Sequence, residues 1–540
     1  MKNLEQNKLA LLPFFVGLAF LLYSWYISFP ISIEFPGDSA FNHISPFYWL
    51  SVPLILGSLY VLGLFSKRRS LKCVVSVAMV VAIYSLTYFY ISMPTSDSQL
   101  FRGLTEYFIN TQSLDISQFG HIYFSWPSYF LLADIVTSVT GLSVIDFEFL
   151  FYAAIGVLLT VTLYVYASKL FKDGALLAVV SFFISTYWII NYQSVPFSFA
   201  LALTFVLFLL ETRKKSTPTI VLMLAIFFTI SFTHFFVASF FILYLIFRSL
   251  IGKSKQYVKL SLLTLTIYLV TQITFVPWTY IELTFRLLLT HISEYGSIAT
   301  STLSARPPIL ADMIAQTMSR AVTITVILMC FLVFIYLVVR RKLRAIDSAI
   351  FLSGLTYSAL GLVFYSLGSR AIPILLIPVS LGAAYLFVNK FRSYVKVIFL
   401  VLLILWVFVP IHNSYNSFSN SFVPLQTNEA YDAENFLLDH YNWTKPSLIL
   451  LHAPPRVYLS MHTLEGKQIN ARFEDDYFSP LFPRLNEYDA ILYTVGLGNS
   501  FLKYNYTIEW IVNEENLSYI YNNGFSTISV KGSSFSPTPK

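Results

Sequence analysis

Charged residues are scarce in this chain of 540 residues. They make up 12% of the sequence, about half the share found in soluble proteins, while hydrophobic residues make up 56%. So few charges cannot give a chain of this length a surface compatible with water, which excludes a soluble enzyme. Cysteine is scarce too, since Cys73 and Cys330 are the only two and both lie in apolar runs. We therefore expect no disulfide and no cysteine-based metal site in the exposed parts.

Basic residues outnumber acidic ones, but the excess does not point to nucleic acid. Residues 1–411 hold 27 Lys and Arg against 15 Asp and Glu, whereas residues 412–540 hold 8 against 13. The basic excess thus lies between apolar runs, as is typical of the cytoplasmic loops of membrane proteins. Nucleic acid is therefore not an expected partner.

Apolar runs long enough for a bilayer fill most of the chain. A helix needs ~20 residues to cross the hydrocarbon core. Runs of about this length lie near residues 9–29, 47–65, 72–92, 147–170, 174–190, 194–211, 217–233, 235–250, 257–278, 318–339, 347–367, 371–388 and 394–411. We predict a polytopic α-helical membrane protein with about 13 transmembrane helices. The first run is expected to be retained, because it is too long for a signal peptide core and no cleavage site precedes Pro30.

The distribution of Lys and Arg predicts the orientation of the chain. With the N-terminus in the cytoplasm, 22 of the 27 basic residues in 1–411 fall in cytoplasmic connections and five fall outside. Most acidic residues of this part show the opposite bias. Two of the outer loops, 93–146 and 279–317, are long, and long loops often carry function. We therefore expect the active face and the C-terminal part to be extracytoplasmic, in a multi-pass protein of the cell membrane.

The composition changes after residue 411, where Asn becomes frequent and apolar runs shrink to strand length. We predict that 1–411 is a transmembrane domain, 412–530 a small extracytoplasmic α/β domain and 531–540 a flexible tail. The predicted elements of the small domain are a helix at 429–441, buried strands at 447–451 and 490–494, and a hairpin at 520–530 that turns at Asn523-Gly524.

The first long outer loop has two helical patterns. Asp97 precedes an apolar stripe formed by Leu100, Phe101, Leu104, Tyr107 and Phe108, which predicts a helix lying flat in the membrane interface. A second helix is expected to start at Pro127 and stop at Gly141. It has about 15 residues, too few to span a bilayer.

Several segments resemble one family. They are Asp97-Ser98-Gln99-Leu100-Phe101, Trp126-Pro127-Ser128-Tyr129-Phe130-Leu131-Leu132, Thr233-His234, Gly368-Ser369-Arg370-Ala371-Ile372-Pro373 and Ile520-Tyr521-Asn522-Asn523-Gly524-Phe525. Together with the topology they resemble the integral-membrane glycosyltransferases of the GT-C class, above all archaeal-type members related to protein mannosyltransferases and aminoarabinose transferases. The chain departs from the family in having Ser98 where a second carboxylate is frequent, and in lacking the Trp-Trp-Asp motif of oligosaccharyltransferases. Transfer of a whole glycan to Asn is therefore not expected.

The resemblance implies a reaction and a set of residues. An inverting glycosyltransferase of this class moves a hexosyl or pentosyl unit from a polyprenyl or dolichyl phosphate donor to a glycan, lipid or protein acceptor. Asp97 is the candidate base, and its other interpretation is a helix N-cap. The candidates for binding the donor phosphate are Arg370, Arg102, Arg306 and Arg320. Arg102 lies one turn beyond Asp97 and could instead pair with it, while the other three are otherwise interfacial or loop arginines.

Further polar residues are weaker candidates. Possible substrate contacts are His121, Trp126, His234 and Asp38. Against this, His234 is interpreted as a capped or water-facing histidine, and the sequence around Asp38 also suits a tight turn. No cofactor is certain. A divalent metal such as Mg²⁺ or Mn²⁺ would have Asp146 and Glu148 as ligands, although side chains two residues apart diverge on a helix.

Two other classes of protein stay open at this stage. A lipid-sugar flippase or polytopic transporter also needs many spans, but such proteins usually place charges and helix breaks in the middle of the membrane. The predicted spans have few central charges. A membrane-anchored binding protein working through residues 412–540 would need only one span.

Overall fold

The structure of the chain is a computed structural model. It describes residues 2–28, 45–65, 69–84, 101–102, 104–106, 108–109, 112, 114, 122–170, 174–186, 196–213, 216–276, 335, 344–363, 374, 376–378, 380–381, 384, 448–451, 471–474, 490–494, 517–522 and 526–531.

Eleven α-helices lie wholly within these described residues. They are α1 (Lys2–Ser28), α2 (Pro46–Phe65), α3 (Arg69–Tyr84), α4 (Ser128–Thr140), α5 (Val144–Leu170), α6 (Ala175–Thr186), α7 (Pro196–Glu211), α8 (Thr217–Ser231), α9 (Phe235–Gly252), α10 (Lys255–Phe275) and α11 (Ala345–Val363). A short 3-10 helix, Ile122–Ser125, precedes α4. All of these helices except α4 coincide with apolar runs that predicted a transmembrane span.

The predicted break at His234 is confirmed. Helix α8 ends at Ser231 and α9 begins at Phe235, with His234 in an extended conformation at the N-cap. Three predicted spans, 318–339, 371–388 and 394–411, fall largely outside the described residues. Among the described helices, three are long and apolar enough to cross a membrane, over Asp146–Lys169, Phe235–Gly252 and Lys255–Phe275. The chain is thus a helical membrane protein.

The helices pack through apolar and aromatic side chains. Helix α1 packs on α2, α5 contacts α3, α6 and α7, and α9 contacts α10 and α11. Within this core the rings of Phe182 and Phe205 lie 5.5 Å apart, and those of Phe208 and Tyr244 lie 5.0 Å apart. Helix α10 leaves one apolar face uncovered, where Ile273 is 76% exposed. An exposed apolar face of this kind suits contact with lipid.

The ends of the helices predicted to be cytoplasmic are joined by a largely buried polar group, the inner cluster. Its members are Tyr166, Glu211, Arg248, Tyr257, Arg344 and Asp347. The Glu211 carboxylate accepts hydrogen bonds from the hydroxyl of Tyr257 and from Arg248 Nε, the latter at 3.3 Å. The guanidinium of Arg248 also stacks over the Tyr257 ring at 4.4 Å. These contacts join α7, α9 and α10.

The second half of the inner cluster joins α5 to the start of α11. Tyr166 donates to Asp347 Oδ1 at 2.8 Å, and Arg344 Nε donates to Asp347 Oδ2 at 3.0 Å. Burial lowers the pKa of Arg344, but the Asp347 carboxylate more than compensates, so that this pKa lies above its usual value. The guanidinium therefore keeps its charge and its place in the cluster.

Five strands form one mixed sheet in the C-terminal part. They are β1 (Leu448–Leu451), β2 (Ala471–Glu474), β3 (Ala490–Thr494), β4 (Leu517–Asn522) and β5 (Ser526–Lys531). Their order is β2-β1-β3-β5-β4. Strand β1 runs parallel to β2 and β3, while β5 runs antiparallel to β3 and β4.

The sheet agrees with the strands predicted at 447–451 and 490–494 and with the hairpin, and it corrects the hairpin's limits. The hairpin runs from Leu517 to Lys531 rather than over 520–530, because pairing between Leu517 and Lys531 extends the ladder. Strand β2 was not predicted, because it has only four residues. Two of them, Arg472 and Glu474, are charged, so the strand has no apolar run. The predicted helix at 429–441, the turn at Asn523-Gly524 and the tail after Lys531 lie outside the described residues.

Candidate functional site

The described part of the first long outer loop folds against the start of α5. We call this unit the outer module: the helical residues between Phe101 and Ile109, the 3-10 helix Ile122–Ser125, Trp126, α4 and the first two turns of α5. The stripe predicted on the first helix is buried, because Phe101, Leu104 and Phe108 all pack inside the protein. This stripe therefore faces protein side chains in the structure.

Aromatic rings hold the outer module together. The ring of Phe101 lies 4.7 Å from that of Tyr123 and 6.3 Å from that of Tyr129. Tyr129 in turn lies 5.4 Å from Phe151 of α5, and Phe151 lies 5.5 Å from Phe199 of α7. Edge-to-face pairs of this kind add to the energy of apolar burial. The rings thus connect the loop continuously to the helical bundle.

A buried ion pair also links the loop to α5. Arg102 Nε donates to Glu148 Oε2 at 3.0 Å, and the two side chains are 2% and 0% exposed. The residues are 46 positions apart in the chain. Arg102 was predicted to bind the donor phosphate and Glu148 to bind a metal, but the structure directs them toward each other. Nothing in the sequence pattern predicted this contact.

Helix α4 has the limits that Pro127 and Gly141 predicted. Pro127 precedes its first residue, and Gly141 ends it with φ +71°, which allows the Gly141 N–H to donate to the Thr137 carbonyl. One face, with Tyr129 and Phe130, packs on the protein. The opposite face is apolar and exposed, with exposures of 59% at Ile135 and 80% at Val139. A short helix with these two faces fits between protein and lipid.

Trp126 fixes the start of α4 to the outer ends of α8, α9 and α10. Its indole N–H donates to Gln272 Oε1 at 3.1 Å, and its ring stacks on Phe235 with centroids 5.1 Å apart. Next to it, the Ser128 N–H donates to the Phe232 carbonyl at 3.1 Å. Trp126 is buried, so the structure gives it an anchoring position. Its predicted contact with substrate stays a prediction.

His234 lies at the same junction. Its ring is buried between α7 and α9, with the Phe197 ring centroid at 5.4 Å and that of Phe235 at 6.0 Å. Phe235 contacts both His234 and Trp126, so the structure brings two of the predicted substrate contacts to one place. Below them, the hydroxyls of Ser231 and Thr271 share a hydrogen bond of 2.6 Å.

The two candidate metal ligands have different surroundings. Asp146 is exposed, and its carboxylate accepts from the hydroxyl of Ser143 at 2.7 Å while its N–H donates back to that hydroxyl. This is a helix-capping arrangement. Glu148 is buried against Arg102. Among the residues that the structure describes, no group of three or more His, Cys, Asp or Glu could hold a metal ion.

Other predicted site residues lie outside the described residues. These are Asp97, Arg370, Arg306, Arg320, His121 and Asp38. Their roles stay predictions. Of the predicted residues that are described, the structure pairs Arg102 with Glu148 and joins Trp126 to His234 through Phe235. The sequence analysis did not identify Gln272 as a partner of Trp126. The available signal was a polar side chain near the outer end of an otherwise apolar helix.

Comparisons with known proteins give a likeness of fold. Similar structures include ArnT from Cupriavidus metallidurans, in the crystal structure of its apo state. The two superpose with a TM-score of 0.48 and 11% sequence identity, over 84% of this chain and 97% of ArnT. No protein-family model and no curated protein sequence matches the chain. A likeness at this level assigns neither a family nor an activity.

Proposed function

We propose that the chain is a membrane glycosyltransferase. It would move one sugar from a polyprenyl or dolichyl phosphate donor to an acceptor on the extracytoplasmic face, with inversion at the anomeric carbon. The composition and the helices support a membrane protein, and the resemblance of segments 97–101 and 126–132 to the GT-C class suggests the reaction.

The outer module is the observation that carries this proposal. A loop that only joins two spans needs no internal structure. This loop instead has two helices, an aromatic core, a buried ion pair and the Trp126 anchor, all within about 50 residues of Asp97. Asp97 is four residues before the first described helical residue, Phe101. A structured module whose first described residue follows a carboxylate by four positions in the sequence suits a site where one acid must be held in place.

The proposed chemistry needs a base and a cation. Asp97 takes the proton from the acceptor hydroxyl while the oxygen of that hydroxyl forms a bond to the anomeric carbon of the sugar. At the same time the bond between the anomeric carbon and the polyprenyl phosphate breaks, and the phosphate leaves. The transition state has oxocarbenium character, as in glycoside hydrolysis. Arg370, with Arg306 and Arg320 as further candidates, neutralises the charge that grows on the departing phosphate.

Arg102 is not assigned to phosphate binding in this proposal. Its guanidinium is buried against Glu148. Moving it to a lipid phosphate would leave the Glu148 carboxylate buried without its cation, which is costly. We therefore assign phosphate binding to the outer arginines other than Arg102.

The first test is sugar transfer in reconstituted vesicles with a panel of polyprenyl-phosphate sugars. Asp97→Asn should lower turnover by at least ~100-fold, because general base catalysis contributes about this much. Expression and donor binding should stay nearly unchanged. Asp134→Asn is the matched control, since Asp134 lies in the same loop and its carboxylate accepts hydrogen bonds from Gln112 and Ser138.

Two outcomes would contradict the proposal. Normal turnover in Asp97→Asn would exclude Asp97 as the base. Absence of transfer from every donor, combined with movement of labelled lipid-sugar across the bilayer, would favour a flippase.

A further inference from the structure

We propose that the inner ends of α5 and α7 bind one anionic membrane lipid. Its phosphate lies between Lys169 and Arg213, and its acyl chains lie along the apolar rows of side chains that lead to these two residues. The site is at the membrane surface predicted to be cytoplasmic, on the opposite side from the outer module. It is therefore independent of the proposed sugar transfer.

Two cations from distant parts of the chain meet at this place. Lys169, in the last turn of α5, donates from Nζ to Thr212 Oγ1 at 2.6 Å, although the two residues are 43 positions apart. Thr212 and Arg213 directly follow the last residue of α7, and the Arg213 N–H donates to the Leu210 carbonyl at 2.9 Å. This bond keeps Arg213 at the helix end. The side chains of Lys169 and Arg213 are exposed, so both charges can be reached from outside the protein.

The positive charge at this place is not balanced by the protein. Arg213 and Arg344 both lie close enough for their charges to act on the Lys169 ammonium. Arg344 is held there by its bond from Nη2 to the hydroxyl of Tyr166, at 3.3 Å, and it has a carboxylate partner in Asp347. Over the described part of the chain, no carboxylate forms an ion pair with Lys169 or Arg213. Like charges held close together repel each other, so a bound anion would stabilise this arrangement.

The exposed face of α5 forms an apolar row that leads to Lys169. Val157, Val161 and Val165 precede Lys169 at intervals of four residues, so all four side chains lie along one face of the helix. Val157 is 37% exposed, and Val161 and Val165 are partly exposed. The row is about 18 Å long. An acyl chain can lie against it with the lipid phosphate at the level of the Lys169 ammonium.

Helix α7 has a similar row. Leu203, Val206 and Leu210 are partly exposed and precede Arg213 at intervals of three or four residues. The two rows end at the two cations that meet near Thr212. Basic pockets between the cytoplasmic ends of transmembrane helices are typical binding sites for anionic lipid headgroups. A free anion would need only the charges, whereas the apolar rows favour a ligand that has a tail.

The test is a titration of the purified protein, in a neutral detergent, with a short-chain phosphatidylglycerol. The apparent dissociation constant follows from the rise in melting temperature, because a ligand that binds only the folded state stabilises it. Phosphatidylglycerol should raise the melting temperature in a saturable manner. Phosphatidylcholine of the same chain length has no net charge and should raise it far less. Equal effects of the two lipids would overturn the proposal, because the cations would then serve only the helix ends.

Removal of either charge should weaken the binding of phosphatidylglycerol. Lys169→Gln and Arg213→Gln should each raise the apparent dissociation constant about fivefold, since one basic residue near a membrane surface contributes about that factor. Lys255→Gln combined with Lys259→Gln is the matched control for the double variant, because both lysines are exposed at the start of α10 on the same side of the membrane. An equal loss of affinity in this control would overturn the proposal, because the binding would then be a diffuse attraction to basic loops.

Two further measurements test the geometry of the site. Thr212→Val removes the hydroxyl that accepts from Lys169. It should weaken the binding of phosphatidylglycerol about threefold in the parent protein and have no further effect in Lys169→Gln, because the hydroxyl acts by placing the ammonium. Inorganic phosphate should give no comparable rise in melting temperature, since it makes no contact with the apolar rows. A rise as large as that with phosphatidylglycerol would show a site for free anions and would overturn the assignment of a lipid.

Discussion

The outer module and the inner cluster both contain a buried ion pair, but the two pairs join different things. In the outer module, Arg102 of a loop helix meets Glu148 of α5. In the inner cluster, Glu211 of α7 meets Arg248 of α9. Tyr166 and Glu148 are both on α5 and 18 residues apart, which places the two regions about 27 Å from each other along the helix. One pair orders a loop, and the other fixes helices to helices.

This difference agrees with the proposed function, in which the reaction takes place at the outer face and the inner ends of the helices have a structural role. Glu211 is bound by both Arg248 and Tyr257, and Asp347 by both Arg344 and Tyr166. Glu211 thus has donors on two neighbouring helices, whereas Asp347 has one on α5 and one, Arg344, directly before its own helix. These contacts join the inner ends of the helices to one another. If the inner ends of the helices are fixed to one another, movement of the structure during the reaction is confined to the outer face. This is the expected arrangement in an enzyme that works at one membrane surface.

The largest expected effect comes from breaking the inner cluster at Glu211. Glu211→Ala leaves Arg248 without its buried carboxylate and removes the acceptor of the Tyr257 hydroxyl. We expect a loss of about 3–5 kcal/mol in stability, as is typical when one partner of a buried pair is removed. The measurement is thermal unfolding in detergent, followed by size-exclusion chromatography of the remaining folded protein.

The same variant separates an enzyme from a transporter. In an enzyme with a fixed inner end, Glu211→Ala destabilises the protein without opening a path from the cytoplasmic side. If the variant instead stays stable and lets labelled lipid cross the bilayer faster, the inner cluster is a gate. Glu211→Ala with Arg248→Met tests the charge itself, since removing both partners should recover part of the lost stability.

A smaller effect is expected at the Trp126 anchor of the outer module. Trp126→Phe keeps an aromatic ring near Phe235 but removes the indole N–H that donates to Gln272. The unsatisfied amide oxygen and the smaller ring should cost about 1–3 kcal/mol. Limited proteolysis from the outer side is the measurement, because the start of α4 should detach before the bundle unfolds.

Gln272→Leu is the matched change on the other side of this contact. It removes the acceptor and leaves the stacked rings, so proteolysis should increase by a similar amount if the hydrogen bond is the anchor. Faster cleavage in Trp126→Phe but parent-like cleavage in Gln272→Leu would show that the ring, and not the hydrogen bond, holds the loop.

The helices were predictable from the sequence because a bilayer imposes a simple rule. Apolar runs of spanning length marked α1–α3 and α5–α11, and even the break at His234 was visible as a polar residue inside a long apolar stretch. The limits of α4 followed from Pro127 and Gly141, which act through local backbone geometry. Hydrophobic periodicity and helix-ending residues such as Pro and Gly predict the structure of segments that are continuous in the chain.

The contacts of the candidate site were not predictable in the same way. Arg102 and Glu148 are 46 residues apart, and Trp126 and Gln272 are 146 residues apart. Each pair forms only because packing brings distant helices together, and no spacing in the sequence encodes it. The stripe at Phe101 shows a related limit, because an apolar face has the same pattern whether it meets lipid or protein.

The smallest effect should come from the less buried ion pair of the inner cluster, Arg344 with Asp347. Arg344 is 40% exposed and three residues from its partner Asp347, so solvent screens the pair and its contribution should be about 1 kcal/mol or less. In Asp347→Asn the amide oxygen can still accept from Tyr166, so thermal unfolding should shift much less than in Glu211→Ala. A shift as large as that of Glu211→Ala would mean that both halves of the inner cluster act as one buried network, and that the inner end is held at α11 as firmly as at α7.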